Sequence, residues 1–395
     1  MAEFSAGDVA LLMEGRVRAL LSSALGRQLE TLKFAELLAR EVPLEARRVI
    51  LAYYELVPKI LRKFGTRELL LCDKLALEQA TAADLGKFKA SLWPGSGSVL
   101  DLCAGMGGDS FFLPAGLDVC GVDFDEARVL MYRENLKAFG REGKALLADA
   151  RDGALKADYF SIDPARRQNL EGNQRDVSQM TPSLPEVLEL SKRYKGGMAK
   201  LPPAFPLSEV PLSLEVLYLG SPADCRETLL LFGELSKCPG RVRAVAVGKD
   251  GSVKFERCAS LARSEALEAL PVGAPRRFLA EPCPLLVRSH LFEEVALERS
   301  AKLVSPGIAY LTSDEPLREP GFRNFEILGV GKLGTAAVKQ MLKAHKVGKL
   351  TLKKRGVEVV PEREIARLSP RGSESATLFY TRIKGEKAAI LAREV

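Results

Sequence analysis

The sequence predicts an α/β protein in which a parallel α/β core follows an N-terminal helical domain and precedes a small, basic α+β domain. Three observations support this organisation. Apolar residues recur at three- and four-residue spacing over about the first 60 residues. Short apolar runs then alternate with amphipathic stretches to about residue 260. The segment from Gly321 to Val395 has a β-α-β-α-β-β pattern and all of the excess positive charge.

Length and composition limit the class of protein. The 395 residues correspond to about two or three domains, and 47% hydrophobic residues are enough to form buried cores. No apolar run reaches the roughly 18 residues of a membrane helix. The N-terminus, "MAEFSAGDVALLMEG", has acids where a secretory signal has bases. We therefore expect a soluble, cytoplasmic protein that does not bind a membrane.

The cysteines and histidines argue against a metal centre. The seven cysteines are scattered without a CxxC pair, and the two histidines, His290 and His345, are far apart in sequence. This usage predicts buried free thiols, with no zinc site and no disulfide framework. We expect no metal cofactor, and of the metal sites only one built on carboxylates stays open on these residues.

The charge distribution indicates a polyanionic partner. The chain has a formal net charge of +7, and the segment from Gly321 to Val395 contains 16 Lys and Arg against 7 Asp and Glu. The other residues contain 42 against 44. A basic domain beside a nearly neutral body is typical of nucleic-acid binding.

The N-terminal helical domain is predicted to span residues 1–95. Its helices are expected within residues 9–26, 31–42 and 44–65. A further helix follows Thr81, which is predicted as its N-cap, with Asp84 at the capping-box position. The Pro-Gly-Ser-Gly run at 94–97 ends that helix.

The core is predicted to span residues 96–260, followed by a proline-containing connecting segment over 261–320 and the basic domain over 321–395. The expected core strands are short apolar runs. They are "SVLDLC", "GLDVCGVDF", "KALLAD", "ADYFSID", "GGMAKL", "EVLYLG" and "RVRAVAVGK". Strands that alternate with helices predict a parallel sheet.

The turn "DLCAGMGGD" follows the first core strand, where doubly wound sheets bind their ligands. Gly105 and Gly107 lack a Cβ, so the backbone can approach a ligand closely. We expect a helix after the turn, with free N–H groups for a carboxylate or phosphate.

An acid follows each of the first four core strands: Asp101, Asp123, Asp149 and Asp163. Asp101 suits a cationic amine, Asp123 suits ribose hydroxyls, and Asp149 suits an adenine amino group. A ligand with these three groups and no phosphates fits S-adenosylmethionine. A nicotinamide dinucleotide fits poorly, because its pyrophosphate would lie against Asp101.

The stretch "VLDLCAGMGGDS…CGVDFD…LLADAR…YFSIDPARR" resembles a Rossmann-like class I S-adenosylmethionine-dependent methyltransferase. The tail, from "FRNFEILGVGKL" to "TRIKGEKAAILA", resembles the C-terminal THUMP-like domain of a bacterial family of such enzymes. The resemblance covers about residues 60–395. It implies S-adenosylmethionine as cofactor and RNA, either tRNA or rRNA, as substrate and partner.

The resemblance also implies roles for individual residues. Asp101, Gly105 and Gly107 match the loop that holds the methionine end, Asp123 matches the ribose acid, and Asp149 matches the adenine-end acid. Asp163 and Pro164 match the catalytic-face motif, with Asp163 also in contact with the cofactor. Thr81 is similar in placement to a threonine that helps hold the cofactor in guanine-N2 methyltransferases.

One position departs from amine-directed relatives. Arg166 stands where they have an aromatic residue, and Ala165 replaces a proline. A guanidinium can also stack on a base or pair with a phosphate. Uracil-C5 methyltransferases require a cysteine after the fifth strand; here "KLPPAF" has none, and Cys225 comes too late. We therefore expect direct in-line transfer.

The catalytic residues are predicted to be Asp163, Pro164 and Arg166, with Arg167 beside them holding the base or a phosphate. The basic stretch "KAHKVGKLTLKKRG" is predicted to bind RNA phosphates. Its cationic residues are Lys343, Lys346, Lys349, Lys353, Lys354 and Arg355. Two alternatives remain: a non-catalytic RNA-binding protein that keeps the fold, and a methyltransferase for a protein or small molecule.

Overall fold

The structure is a computed structural model that describes residues 3–66, 68–166, 180–201, 205–265 and 267–395, with the backbone alone for residues 165–166. The chain divides into two compact units. Unit 1 comprises Met1–Leu219, Glu227–Pro239 and Val247–Lys254. Unit 2 comprises Gly220–Arg226, Gly240–Ala246 and Phe255–Val395.

Unit 1 begins with helices, as the apolar spacing predicts. They are α1 (Ala6–Met13), α2 (Gly15–Gly26), α3 (Thr31–Glu41), α4 (Leu44–Phe64), α5 (Lys74–Gln79) and α6 (Ala83–Ala90). Local chemistry sets their ends. Ser5 and Asp8 form a capping box at the start of α1. Gly65 ends α4 in the left-handed region, at φ 65°.

The rest of unit 1 alternates strands with helices. Its elements are β1 (Gly97–Leu102), β2 (Leu117–Asp123), α7 (Glu126–Ala138), β3 (Lys144–Leu147), β4 (Tyr159–Ile162), β5 (Ala165–Arg166), β6 (Met180–Thr181), α8 (Leu184–Ser191) and β7 (Gly196–Leu201). β8 (Glu215–Ser221) and β9 (Asp224–Gly233) follow, each with residues in both units. The predicted strands of the core are confirmed.

Six strands of the main sheet have the order β9-β7-β4-β1-β2-β3. Strands β7, β4, β1, β2 and β3 are parallel, whereas β9 runs antiparallel to β7. β1 lies between β2 and β4, with Asp101 paired in register with Gly121 and Ser161. The chain thus reverses its direction of progress across the sheet at β1. Such a switch point leaves a crevice beyond the carboxyl ends of the strands, where ligands bind.

The segment after β1 differs from the prediction of a helix. It contains one turn of 3-10 helix, Ser110–Phe112, and then reaches Pro114 and Gly116 before β2. Proline cannot donate within a helix, so Pro114 stops the turn from continuing. The expected helix N-terminus is therefore wrong.

The N-terminal helices and the glycine loop share one hydrophobic core within unit 1. Buried side chains of α1 to α4 pack with Met106, Phe111 and side chains of α7. Polar contacts add to this packing: the Asn135 amide bonds the backbone of Leu71, and the Arg128 guanidinium pairs with the buried Asp73 at 2.8 Å. The boundary at residue 95 remains a prediction.

Two strands, β10 (Val242–Val247) and β11 (Val253–Cys258), lead into the long final part of unit 2. There a seven-stranded sheet has the order β13-β14-β12-β15-β18-β17-β16. Its strands are β12 (Phe278–Pro282), β13 (Lys302–Ser305), β14 (Ile308–Ser313), β15 (Phe322–Lys332), β16 (Val347–Lys354), β17 (Glu374–Ile383) and β18 (Glu386–Glu394). The helices are α9 (Pro284–Arg288), α10 (Leu291–Glu298), α11 (Thr335–Ala344) and α12 (Pro361–Leu368). The order β15-α11-β16-α12-β17-β18 confirms the predicted pattern of the tail.

Among the described residues, no helix is both long and apolar enough to span a bilayer. In the same residues, no group of three His, Cys, Asp or Glu side chains converges as metal ligands would.

Candidate active site

The ends of four neighbouring strands meet at the switch point. The backbone N–H of Asp163, after β4, donates to the carbonyl of Leu102 in β1 at 3.4 Å. Ala104 donates to Val122 at 3.1 Å, and Ala148 donates to Asp123 at 3.0 Å. These bonds continue the sheet beyond its regular ladders, so the predicted acids after β1, β2, β3 and β4 lie along one edge.

The glycine loop is fixed against the acid that ends β2. The Gly105 N–H donates to Asp123 Oδ2 at 3.0 Å, and the Asp125 N–H donates to Asp123 Oδ1 at 3.1 Å. Gly105 has φ +56°, and a Cβ built there meets no atom within 4 Å, so it borders open space. At Gly107, with φ +94°, a Cβ would lie 2.9 Å from the Phe111 ring. Both positions therefore favour glycine, for different reasons.

Asp101 is almost completely buried beneath the loop. Its Oδ2 accepts from the Ser110 hydroxyl at 2.6 Å, and that hydroxyl accepts in turn from Tyr132 at 2.8 Å. Burial, reinforced by the nearby carboxylate of Asp109, raises the pKa of Asp101 from 3.8 to about 8. The side chain is thus mostly protonated at neutral pH.

Thr81 lies at the site, but it does not cap α6. The N-cap of that helix is Ala82. The Thr81 hydroxyl instead donates to Glu227 Oε1 at 3.0 Å and accepts from Lys89 Nζ at 3.2 Å. A Cβ on Gly108 would lie 3.0 Å from Ala80 Cβ, so this segment packs directly against the glycine loop. The N-cap prediction is therefore wrong.

A buried lysine from α6 joins the loop to β9. Lys89 is 3% exposed. Its ammonium pairs with Asp109 of the loop and, at 3.0 Å, with Glu227 Oε2. These carboxylates raise the pKa of Lys89 against the opposing effect of burial. Lys89 therefore stays charged and fixes three separate segments to one another.

A second lysine, at the end of β7, contacts the predicted catalytic acid. Lys200 Nζ lies 2.7 Å from Asp163 Oδ2 and 3.5 Å from Glu227 Oε1. It also donates to the carbonyl of Gln79 at 3.1 Å. Lys63 donates to the carbonyls of Leu77 and Glu78, so two lysines satisfy the last carbonyls of α5. This arrangement holds the segment before Thr81 in place.

The sequence prediction missed Lys89, Lys200, Asp109 and Glu227. Their contacts span up to 146 residues, as between Thr81 and Glu227, and no local spacing encodes such pairs. One signal was available for Lys200. It is the sole charged residue of β7, "GGMAKL", a strand buried between two neighbours. A charge in such a strand needs a partner.

The adenine end of the predicted site is more open. Asp149 lies beyond β3, and its carboxylate bonds the Arg151 guanidinium, which lowers the pKa of Asp149 to about 2. Phe124, directly after Asp123, is 72% exposed, and Leu147, which pairs with Asp123 at the end of β3, is also exposed. An exposed phenyl ring beside Asp123, the predicted ribose acid, is a stacking surface that the sequence analysis did not identify.

Among Pro164, Arg166 and Arg167, the structure describes the first fully, the second in its backbone alone and the third not at all. Pro164 is buried directly after Asp163. For Arg166 the backbone is described, paired with Met180, and the side chain lies outside the described residues. Arg167 lies outside them altogether.

The predicted RNA-binding residues lie in unit 2, on α11, β16 and the turns around them. Lys343, Lys346 and Lys349 are exposed, and Lys354 donates to the carbonyl of Val359. Lys353 pairs with Glu281 and lies over the Phe325 ring. Arg355 donates to the Ala309 carbonyl and stacks on Tyr310. Lys353, Lys354 and Arg355 thus bond within the unit, which leaves Lys343, Lys346 and Lys349 as the more accessible of these cations.

Comparisons with known proteins agree with this architecture. A family model described as THUMP domain-like matches residues 322–394. Two curated proteins from Mycobacterium tuberculosis, of strains CDC 1551 and H37Rv, are each 27% identical over 350 residues. The matches cover 87% of this chain and 92% of each relative. Both are named uncharacterized S-adenosylmethionine-dependent methyltransferases.

A solved structure shares the fold over nearly the whole chain. It comes from Porphyromonas gingivalis W83, and its protein is named provisionally as a methyltransferase. The TM-score is 0.76 at 20% identity, covering 97% of this chain and 99% of that one. The predicted fold class is confirmed, as is the resemblance to class I methyltransferases with a C-terminal THUMP-like domain.

Proposed function

We propose that this chain, a class I methyltransferase by fold with a THUMP-like C-terminal domain, transfers a methyl group from S-adenosylmethionine to a base in structured RNA, either tRNA or rRNA. The observation that carries the proposal is the row of acids along one edge of the sheet, beside a loop whose Gly105 borders open space. The names of the curated relatives support the cofactor.

The residues present fit this cofactor. Asp101 is a buried acid whose pKa is raised by its surroundings, so it would gain most from a cationic amine placed near it. Asp123 would accept from ribose hydroxyls, with its orientation already fixed by the Gly105 N–H. Phe124 would stack on adenine, and Asp149 would accept from the adenine amino group in competition with Arg151. The two lysines described at this edge, Lys89 and Lys200, already pair with carboxylates and would compensate a pyrophosphate beside Asp101 poorly.

The chain's own residues would orient the acceptor. When bound, S-adenosylmethionine supplies an electrophilic methyl group on a sulfonium, and it leaves as a neutral thioether. Asp163 and the Pro164 carbonyl would accept hydrogen bonds from an amine of the base and aim its lone pair at the methyl carbon. The proton that this nitrogen loses would pass to Asp163 or to water. Alignment near 3 Å contributes several kcal/mol through proximity alone.

RNA as the substrate is supported by the C-terminal domain. The family model matched there is THUMP domain-like, and the segment from Gly321 contains 16 Lys and Arg against 7 Asp and Glu. The exposed cations Lys343, Lys346 and Lys349 would contact phosphates, which gives affinity and position without selecting a base.

Mass spectrometry of modified nucleosides tests the proposal. RNA from cells that lack the protein should be missing one methylated nucleoside, and the wild-type gene should restore it. An Asp163→Ala gene should not restore it, although the purified variant still binds S-adenosylhomocysteine. An unchanged nucleoside profile in the deletion strain would contradict RNA methylation. If the deletion strain loses methylation only on a protein or a small molecule, the alternative of a methyltransferase for such a substrate would be favoured.

A further inference from the structure

Asp163, the acid proposed to face the acceptor, is held by one lysine. That lysine contacts only one of the two carboxylate oxygens of Asp163. Lys200 Nζ lies 2.7 Å from Asp163 Oδ2. The contact follows from the register, because β7 pairs in parallel with β4, and Ala199 lies opposite Ile162. Residues 163 and 200 are the next residues of the two strands. Among the described residues, Asp163 Oδ1 has no hydrogen-bond partner.

Several charges face this acid. Asp109 of the glycine loop, Glu227 of β9 and Asp101 of β1 are acids near it, and the cations are Lys200 of β7 and, one contact further, Lys89 of α6. Burial and the carboxylates of Asp109 and Glu227 raise the pKa of Asp163, whereas Lys200 lowers it. The balance among these groups depends on Lys200, because it alone of the two lysines touches the carboxylate.

Besides its contact with Asp163, Lys200 is oriented by two further contacts and by its burial. The Gln79 carbonyl accepts from its ammonium at 3.1 Å, Glu227 lies at 3.5 Å, and its side chain is 11% exposed. A lysine with these contacts has few alternative rotamers, in contrast to a solvated one. A lysine fixed in this way also fixes the orientation of the Asp163 carboxylate toward a ligand in the crevice.

We propose that Lys200 is a positioning residue for methyl transfer: it holds Asp163 Oδ2, places a positive charge against this carboxylate among neighbouring acids, and leaves Oδ1 to accept from the substrate. This inference rests on the proposed function for the identity of the substrate. It assigns to Lys200 the role of orienting Asp163, and to Glu227 the role of orienting Lys200.

The same two strands provide a matched control. Lys195 and Asp158 form a 2.7 Å ion pair at the opposite ends of β7 and β4, five residues before Lys200 and Asp163. Lys195 is 60% exposed and lies away from the crevice. Lys195→Met therefore removes a lysine–aspartate pair from the same strands without changing the charges around Asp163.

The test measures the titration of Asp163 directly. The carboxyl carbon of Asp163, labelled with ¹³C and assigned by difference against Asp163→Asn, is followed by NMR from pH 3 to 9. Lys200→Met should shift the midpoint upward by about 1–3 pH units. Lys200→Arg should stay near the wild-type midpoint, as should Lys195→Met. A Lys200→Met midpoint within half a unit of wild type would overturn the proposal.

A measurement on the wild type covers the case in which Lys200→Met does not fold. The Lys200 Cε signal, assigned against Lys200→Arg, should shift with the same midpoint as the Asp163 carboxyl, because the two groups are in contact. A Lys200 signal that ignores the Asp163 titration would also overturn the proposal.

Kinetics then connect the pair to the reaction. With tritiated S-adenosylmethionine and RNA from cells that lack the protein, Lys200→Met should lower kcat at least tenfold at pH 7, with partial recovery at pH 9. Lys200→Arg should retain most of kcat, and an unchanged kcat in Lys200→Met would contradict the positioning role. If the wild type labels no RNA, the proposed function fails, whereas the NMR titration still decides the role of Lys200.

Discussion

The Gly105 N–H donates to Asp123 Oδ2 at 3.0 Å, which links the glycine loop after β1 to the acid that ends β2. This bond places the proposed ribose acceptor against the proposed methionine loop before any ligand binds. A cofactor would therefore meet a site that is largely formed, and little ordering free energy would be lost on binding.

Asp123→Ala should weaken S-adenosylhomocysteine binding roughly 10- to 100-fold. Each hydrogen bond to a charged acceptor contributes about 1.5–3 kcal/mol, and the Gly105 N–H also loses its partner. Isothermal titration calorimetry measures the change. The control is Asp118→Ala, since Asp118 is an exposed residue of the same strand, paired with Lys144. Equal affinities of Asp123→Ala and wild type would rule out the ribose assignment.

Asp101 should make the native state less stable as the pH rises. Its pKa is about 8 in the folded chain against 3.8 ordinarily, so the native state keeps a proton that the unfolded chain has lost. The free energy of unfolding should therefore fall between about pH 4 and pH 8. Asp101→Asn, which cannot lose this proton, should have a flatter profile in urea denaturation at pH 5, 7 and 9. Parallel profiles would contradict the raised pKa.

Cofactor binding should release a proton from Asp101. A cationic amine near this acid favours its charged form, so binding at pH 7 should deprotonate it. Calorimetry with S-adenosylhomocysteine in phosphate and in Tris should give different heats, because the two buffers differ in ionisation enthalpy. Asp101→Asn should give heats that agree after correction. Buffer-independent heats for the wild type would show that Asp101 releases no proton on binding, and so that the ligand's amine does not lie near it.

Lys89→Met should destabilise the fold by about 3–5 kcal/mol. The substitution removes the cation shared by the half-buried Asp109 and the buried Glu227, and leaves Glu227 with the longer ion-pair contact to Lys200. Lys87→Met is the control, because Lys87 lies on the same helix and is exposed. Chemical denaturation of both variants measures the difference. Similar losses in the two would show that the buried ion cluster contributes little to stability.

Lys346→Glu combined with Lys349→Glu should weaken RNA binding and reduce its salt dependence. Each phosphate contact contributes about 0.7–0.9 to the slope of log K against log salt concentration. The control, Lys33→Glu combined with Lys59→Glu, makes the same change of net charge at exposed positions of the N-terminal helices. It should leave the slope of log K against log salt concentration nearly unchanged. Filter binding to RNA from cells that lack the protein, at several salt concentrations, measures both. A wild-type slope in the first pair would remove these lysines from the interface.

The regular elements were largely predictable because their signals are local. The run "LEARRVILAYYELVPKILRKFG" has apolar residues at helical spacing, and α4 buries Ile50, Tyr53, Val57 and Ile60 from it. Asp101 and Asp123 end buried strands, and parallel strands bring such ends together. The row of acids is therefore predictable from the sequence pattern alone.

The rest of the site depends on long-range pairing. Thr81 has the local pattern of an N-cap, but its hydroxyl instead donates a hydrogen bond to Glu227, which lies 146 residues away in the sequence. The helix expected after Gly108 was wrong because Pro114 and Gly116 leave room for a single 3-10 turn. Lys89 has the local pattern of a solvated lysine, and the sequence shows only that Lys200 needs a partner. The acids that pair with both lysines come from other segments of the chain.

The most direct measurement is a crystal structure with S-adenosylhomocysteine. The account predicts that the nucleoside lies at the carboxyl ends of β1 and β2, with its ribose on Asp123, its amine near Asp101 and its sulfur directed toward Asp163. A ligand bound elsewhere, or a crevice that stays empty at saturating concentration, would contradict it.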